Sequence, residues 1–191
     1  MSGSLLVRPA QPRDARALVA LAAAVASEPE GWLIGAEGRR GAGDERRYLK
    51  ALRRYADAAV FVAEAEGRIV GRLSVARDPH PASAHVADLG LMVAADYRRR
   101  GVGRALLAAA VEWARTSGVA KLELHVFPHN APAIALYESF GFVREGYRRA
   151  HYRRGGYGHG YVDAILMALF TEELCREEPS GGAPAAERLR V

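Results

Sequence analysis

Three arginines, a glycine, a valine and a second glycine follow one another at Arg98-Arg99-Arg100-Gly101-Val102-Gly103, with Arg104 next. This composition suits an anionic ligand. Glycine has no Cβ, so at Gly101 and Gly103 the backbone can come close to a bound group. Where a helix begins, the first N–H groups lack partners within the helix and carry partial positive charge. Helix starts hold phosphate in this way. The arginines add charge and forked donors. In isolation the pattern is weak, because a solvated basic turn has the same composition. If it holds phosphate, the backbone supplies most contacts and only one or two arginine side chains join in.

The elements needed to position this segment are legible around it. An apolar run, Leu89 to Val93, precedes it and brings the rest of a long ligand alongside. Val102, Leu106, Ala109 and Trp113 share one face of a helix predicted over 101–116, ended by Gly118. Elsewhere the patterns predict a strand at 5–8, a helix at 14–26 with Asp14 as its cap, and a helix at 44–56. Strands follow at 59–65 and 68–75, joined by Glu66-Gly67, and at 85–93 and 121–127. A short helix at 130–139 has Pro132 in its first turn, and strands at 142–147 and 161–170 complete the order. The result is an α/β fold with a mixed sheet. The loop from Glu28 to Gly43 carries Trp32 beside Glu28, Glu30 and Glu37, acids that attract a cationic amine or are simply solvated.

Composition narrows the class. Half of the 191 residues are hydrophobic and 26% are charged, the balance of an ordinary globular chain. No run approaches the roughly 18 apolar residues of a membrane span, and Met1 to Arg8 lacks the apolar block of a signal peptide. With a single cysteine, Cys175, neither an internal disulfide nor a cysteine-built metal site is expected, and a cytoplasmic location is. His80 and His85 flank a loop, and Pro128 separates His125 from His129; no further ligand completes either pair, so no metal is expected. The net charge of +5 favours anionic partners without choosing between nucleic acid and a phosphorylated cofactor.

Downstream, the strand Leu122-Glu123-Leu124-His125-Val126 leads to Asn130-Ala131-Pro132-Ala133-Ile134-Ala135-Leu136-Tyr137-Glu138-Ser139-Phe140-Gly141-Phe142. Together with Leu91-Met92-Val93, the Arg98 to Gly103 segment, the opening Val7-Arg8-Pro9-Ala10 with Asp14, and the ending Tyr161-Val162-Asp163 with Met167, these residues resemble the GNAT superfamily of acetyl-CoA-dependent N-acetyltransferases. Within it the chain is most similar to small bacterial enzymes that acetylate amino acids, related amines or protein N-termini. The resemblance implies one domain over residues 1–170, with a mixed, mostly antiparallel twisted sheet whose central strands splay apart between flanking helices. Residues 171–191, rich in Gly, Pro, Ala and Glu, read as a disordered tail.

The resemblance also implies acetyl-CoA as co-substrate, with its pantetheine arm in the splay. There its amides pair with Leu91, Met92 and Val93 as an added strand would. Its pyrophosphate meets the segment of Arg98, Arg99, Arg100, Gly101, Val102, Gly103 and Arg104; many relatives carry glutamine at the position of Arg98. Asn130 is either a helix cap or a ligand of the pantetheine arm. Tyr137, on nearly the same helix face, is the implied acid, since a phenol near pKa ~10 can donate to a thiolate near ~8.5 as charge builds there. The Val93 N–H is the implied oxyanion donor.

The general base is open among Asp88, Glu123 and His125. Relatives often place a carboxylate at the position of His125, which makes that residue the first candidate. An α-amine near pKa ~8 needs little help at neutral pH, whereas a lysine-type amine near ~10.4 needs much more. The lack of an acid-rich base site therefore leans toward an α-amino acceptor. Arg148, Arg149, Arg153 and Arg154, interleaved with Tyr147, Tyr152 and Tyr157 and containing Gly155-Gly156, read first as a solvated hairpin, next as a wall of the acceptor pocket, and last as an RNA-binding stretch. The expected activity is direct transfer of an acetyl group from acetyl-CoA to a small amino-acid-like primary amine. The alternatives are a non-catalytic acyl-CoA-binding regulator, or acetylation of a protein N-terminus or a polyamine. Relatives often form homodimers, and this chain is compatible with one.

Overall fold

The computed structural model describes residues 5–32, 41–153 and 160–171. Glu37, Arg154, Gly155, Gly156, Tyr157, Cys175 and the tail read as disordered beyond Thr171 lie outside the described residues. The elements are β1 (Leu6–Pro9), α1 (Ala15–Ala26), α2 (Ala42–Leu52), β2 (Ala58–Ala65), β3 (Arg68–Arg77), β4 (Val86–Val93), α3 (Val102–Ser117), β5 (Lys121–Val126), α4 (Ala131–Phe140), β6 (Val143–Arg153) and β7 (Tyr161–Phe170). The seven strands form one sheet in the order β1-β2-β3-β4-β5-β7-β6. Only the β4–β5 pair is parallel. The mixed, mostly antiparallel α/β architecture expected from the sequence is what the chain adopts.

Alternation along the strands divides the core into two layers. Val60 and Val62 of β2 meet Leu18 of α1 and Leu49 of α2 on one face. Ala63 and Ala65 of β2 belong to the larger cluster on the other, with Val102, Leu106, Leu107 and Ala110 of α3 and Ile134 and Tyr137 of α4. Each leucine buried this way contributes about 1.5–3 kcal/mol. Gly71 lets α3 lie close on the sheet: a Cβ there would stand 2.9 Å from Leu106 Cδ1. At its far end α3 stops at Gly118, which takes φ +68°, and the Val119 N–H reaches back to Ala114 O at 2.8 Å.

One strand departs from expectation. β6 extends through Arg153, six residues beyond the predicted end, and pairs with β7 as far as Arg153 with Tyr161. Its residues are solvent-exposed apart from the half-buried Tyr152, so apolar alternation, the signal for a strand, is missing from its second half. The register slips between Arg148 opposite Ala164 and Tyr152 opposite Val162, which inserts two residues into β6 at Ala150, whose φ is +50°.

Candidate active site at the splay of the central strands

β4 and β5 pair only from Val86 with Lys121 to Asp88 with Glu123. Past that point β4 stays with β3 as far as Val93, and β5 stays with β7 as far as Val126. The two central strands therefore part toward their C-terminal ends. In an antiparallel ladder, alternate residues turn both backbone groups to the same neighbour. Ala94 N–H donates to Val70 O at 2.9 Å and Asp78 N–H to Val86 O at 2.9 Å, which commits the even-numbered residues of β4 to β3. Leu91 and Val93 consequently present their backbone edges to the gap. Met92, expected beside them in cofactor binding, stands opposite Arg72 of β3, so its backbone faces away from the gap.

The loop after β4 leads into α3. Gly101 adopts φ +81° with no atom within 4 Å of the position a Cβ would take. The helix ladder opens with Ala105 N–H donating to Gly101 O at 3.0 Å. Among the described residues, the N–H groups from Arg99 to Arg104 make no backbone hydrogen bond of ordinary length and angle. These donors thus lie just past the open edge of β4, as the sequence led one to expect. Gly103 has a packing task besides the expected one: a Cβ there would sit 2.7 Å from Leu136 Cδ2, so its small size lets α4 pack on α3.

The arginines divide in role. Arg98 donates from Nε to Val93 O at 3.1 Å, and from Nη1 and Nη2 to Glu28 Oε2 and Oε1 at 2.7 and 2.6 Å. Its own N–H donates to Ala95 O at 3.2 Å. Expected at the phosphate, Arg98 instead ties Glu28, just beyond α1, to the end of β4. Arg100 lies over the Tyr97 ring at 5.2 Å. Arg104 donates to Ser139 O and Oγ at 3.3 and 3.2 Å, binding the start of α3 to the end of α4. Arg99, exposed and at φ +61°, makes no side-chain hydrogen bond or ion pair among the described residues.

Asn130 caps α4, its Oδ1 accepting from Ala133 N–H at 3.2 Å. The two readings of Asn130 are compatible, because the cap uses the oxygen and leaves the amide hydrogens to donate. Tyr137 is held by the helix's own ending. Gly141 takes φ +106°, Phe142 N–H donates to Tyr137 O at 3.0 Å, and the Tyr137 and Phe142 rings meet at 5.6 Å. This is a Schellman closure with its hydrophobic contact. Burial pushes the Tyr137 hydroxyl above the ordinary phenol pKa, so it keeps its proton at any physiological pH.

The base candidates lie on the sheet face toward α1 and α2. His125 Nδ1 is 2.6 Å from Tyr152 Oη. Burial, then Arg148 and His151, hold the His125 pKa below the ordinary imidazole value against the pull of Asp88 and Glu123. Asp88 is raised above the usual carboxylate range, first by the desolvating walls around it and then by Glu123, although its surface still reaches water. Glu123 is engaged: Lys121 Nζ lies 2.6 Å from it and 2.7 Å from Glu145. Glu123 is thereby a weaker base candidate than Asp88 or His125.

Rings adjoin this cluster in a continuous row. Trp32, His129, Phe127, Tyr152, His151 and His125 follow one another at centroid spacings of 5.7, 5.3, 6.1, 4.7 and 5.1 Å. His129 Nε2 also lies 3.1 Å from Glu30 O. Tyr152 and His129 were not among the site residues expected from sequence. The signal for Tyr152 was the arginine- and tyrosine-rich stretch, which forms both a hairpin and a wall beside His125. Among the described residues no three His, Cys, Asp or Glu side chains gather as metal ligands.

Comparison with known proteins adds an independent line. The model of the Acetyltransferase (GNAT) family matches residues 23–142. An L-amino acid N-acetyltransferase of Escherichia coli is 40% identical over 112 residues, which span 56% of this chain and 65% of that protein. The chain thus covers less than two thirds of the length of this curated relative. The crystal structure of a ribosomal-protein-alanine N-acetyltransferase from Brucella melitensis superposes with TM-score 0.76 at 30% identity, over 86% of this chain and 99% of that one. A putative acetyltransferase from Salmonella typhimurium, solved with acetyl-CoA, shares the fold with TM-score 0.78 at 20% identity, over 92% and 99% of the two chains.

Proposed function

The chain belongs to the GNAT acetyltransferase family, and on that premise we propose that it transfers an acetyl group from acetyl-CoA directly to the α-amine of an amino acid or of a protein N-terminus. The observation that carries this reading is the alignment of two sets of open backbone donors. Leu91 and Val93 face the splay, and the N–H groups of Val102, Gly103 and Arg104 begin α3 just beyond it. The first set suits the amides of a pantetheine arm and the second a diphosphate. Gly101 leaves the approach open, Asn130 has amide hydrogens to spare, and exposed Arg99 adds charge. Residues 1–170 would form the catalytic unit.

The chemistry follows from what is held where. Both substrates meet in the splay, so proximity supplies much of the rate. The neutral amine attacks the thioester carbonyl, and the Val93 N–H is placed to steady the oxyanion. Tyr137 keeps its proton more firmly than an ordinary phenol does, so it stabilises the departing thiolate by donating a hydrogen bond rather than by full ionisation. The two relatives named above act on an L-amino acid in one case and a ribosomal-protein alanine in the other, which supports an α-amino acceptor here. No helix among the described residues is long and apolar enough to cross a membrane; we place the reaction in the cytoplasm.

The test is thiol release from acetyl-CoA with a panel of amines at fixed pH, comparing free amino acids, N-terminal peptides and polyamines. Transfer to α-amines and not to polyamines is expected. Tight coenzyme binding without turnover on any amine would leave an acyl-CoA-sensing module as the answer.

A further inference from the structure

We propose that Tyr152 is a catalytic residue of the acetyl transfer: its phenol oxygen receives a proton from the acceptor ammonium while its own proton passes to Nδ1 of His125. The step rests on the acetyl-transfer reading above and assigns its proton route.

The short contact between Tyr152 Oη and His125 Nδ1, 2.6 Å, joins a phenol and an imidazole that are both neutral near pH 7. Between these two the phenol is the better donor and the bare imidazole nitrogen the better acceptor. The proton therefore sits on Tyr152, pointing at Nδ1, and His125 carries its own proton on Nε2. In that tautomer Nε2 has no lone pair to offer an amine. The way into His125 runs through the phenol oxygen, which retains acceptor capacity. The groups facing His125 are Asp88 from β4, Glu123 from its own strand, and Arg148 and His151 from β6. The two carboxylates favour the imidazolium once it forms, and Arg148 and His151 oppose it.

The backbone of β6 is shaped to deliver this hydroxyl. On β7, Leu166 stands between His125 of β5 and Gly146 of β6, and Ala164 and Val162 continue the same face opposite Arg148 and Tyr152. Without the two inserted residues, Ala150 rather than Tyr152 would stand opposite Val162. The insertion places alanine at φ +50°, a conformation non-glycine residues seldom adopt. Asp163 holds it there, with Oδ1 accepting from Ala150 N–H at 2.7 Å and Oδ2 from Tyr147 Oη at 2.7 Å. A strained bulge locked by a carboxylate of the paired strand β7, ending in the half-buried residue of an otherwise exposed strand, is a costly arrangement for a surface hairpin.

The balance closes. The ammonium gives one proton to Tyr152 Oη, Tyr152 gives one to His125 Nδ1, and the products are a neutral amine, a neutral phenol and an imidazolium. The amine nitrogen then bonds to the thioester carbon, the carbon–sulfur bond breaks, and the second proton shed by nitrogen ends on the thiolate sulfur.

Two measurements test this. The imidazole ¹⁵N spectrum of the full chain should show His125 with a bare, hydrogen-bonded Nδ1 and a protonated Nε2, and Tyr152→Phe should shift the Nδ1 resonance. A proton on Nδ1 in the wild-type protein overturns the proposal. Kinetically, Tyr152→Phe must wait for amine already neutral in solution. With an α-amine of pKa ~8, kcat/KM should fall about tenfold at pH 7 and converge on wild type above about pH 9. Acetyl-CoA affinity should not change. His125→Gln should behave alike, and the double variant should lose no more than either single one. A loss that is equal at every pH, or no loss, rejects the route while leaving acetyl transfer intact. Failure of the wild-type protein to acetylate any amine removes the transfer reading and this step with it, and the imidazole spectrum then tells whether the hydrogen bond itself was read correctly.

Discussion

Gly103 of α3 and Leu136 of α4 touch so closely that a Cβ on the glycine would stand 2.7 Å from the leucine's Cδ2. One helix begins at the proposed diphosphate site, and the other carries Asn130 and Tyr137. In the proposed binding mode their contact sets the distance between the site for the coenzyme's phosphate end and the site for its thioester end. Gly103→Ala should cost about 1–3 kcal/mol by overpacking and weaken coenzyme binding. Adding Leu136→Ala should recover part of the coenzyme affinity that Gly103→Ala loses. Denaturant unfolding and calorimetric titration of the single and double variants check this.

Arg98 and Glu28 form a two-point pair whose side chains are 34% and 18% exposed, too exposed for a large effect on stability. Its work is to hold the segment after α1 against the end of β4. Arg98→Ala and Glu28→Ala should each weaken acceptor binding, raising KM for the amine severalfold, and the double variant should be no worse than either. Coenzyme affinity should change equally in the two. A loss specific to Arg98→Ala would return that side chain to the phosphate.

Tyr137→Phe removes a hydroxyl and leaves a ring of the same shape in the Schellman closure. The fold and the coenzyme Kd should survive, and kcat should drop by roughly 10²-fold, the usual worth of a hydrogen-bond donor aimed at developing negative charge. Since the hydroxyl keeps its proton throughout the working range, the loss should be flat between pH 6 and 9. Rapid-quench turnover with saturating substrates reads it.

Stability should fall in acid for a specific reason. Arg8 clamps Asp14 at 2.7 and 3.0 Å and Glu64 at 2.9 Å, and the Gln11 N–H donates to Asp14 at 2.7 Å. Burial alone would raise the Asp14 pKa, but Arg8 and then Gln11 outweigh it and hold the carboxyl below its ordinary value. A depressed folded-state pKa gives stability that is present above the unfolded value near ~3.9 and is lost as pH falls toward the folded one. Asp14→Asn should therefore lower Tm at pH 7 and make little difference near pH 2. Breaking the pair from the other side, Arg8→Ala should cost about 3 kcal/mol.

Asp88 has the opposite sign. Its folded-state pKa is raised, so its contribution is complete below the unfolded value and is lost as pH rises through the folded one. Asp88→Asn should raise Tm at pH 7 and leave it unchanged in strong acid. Thermal melts across pH 2–8 follow both aspartates together.

The sequence was most legible where local rules act alone. The period of α3, Glu66-Gly67 between β2 and β3, and Pro132 after Asn130 each specify structure over a few residues. The helix start after Leu91 to Val93 was readable for the same reason. What escaped depends on residues far apart. Nothing local tells that Arg98 meets Glu28, seventy positions away. The exclusion of Met92 from the gap depends on its pairing with β3, which only the register reveals. The packing of Gly103 on Leu136 was hidden because one residue type serves both a phosphate loop and close helix packing. Tyr152 sat in a stretch whose charge suggested a solvated loop, since an edge strand exposed on both faces carries no apolar alternation to announce itself. The engagement of Glu123 by Lys121, two residues back on the same strand face, was open to the period-two rule.

The central claim is that amide hydrogens at the start of α3 hold the coenzyme's diphosphate. Amide ¹⁵N spectra recorded during titration with coenzyme A, and separately with pantetheine, address it directly. Coenzyme A should shift the signals of Gly101, Val102, Gly103 and Arg104, while pantetheine, which lacks the diphosphate, should move those facing the splay and leave these four in place. Saturation by coenzyme A with these four amides unmoved would contradict the account.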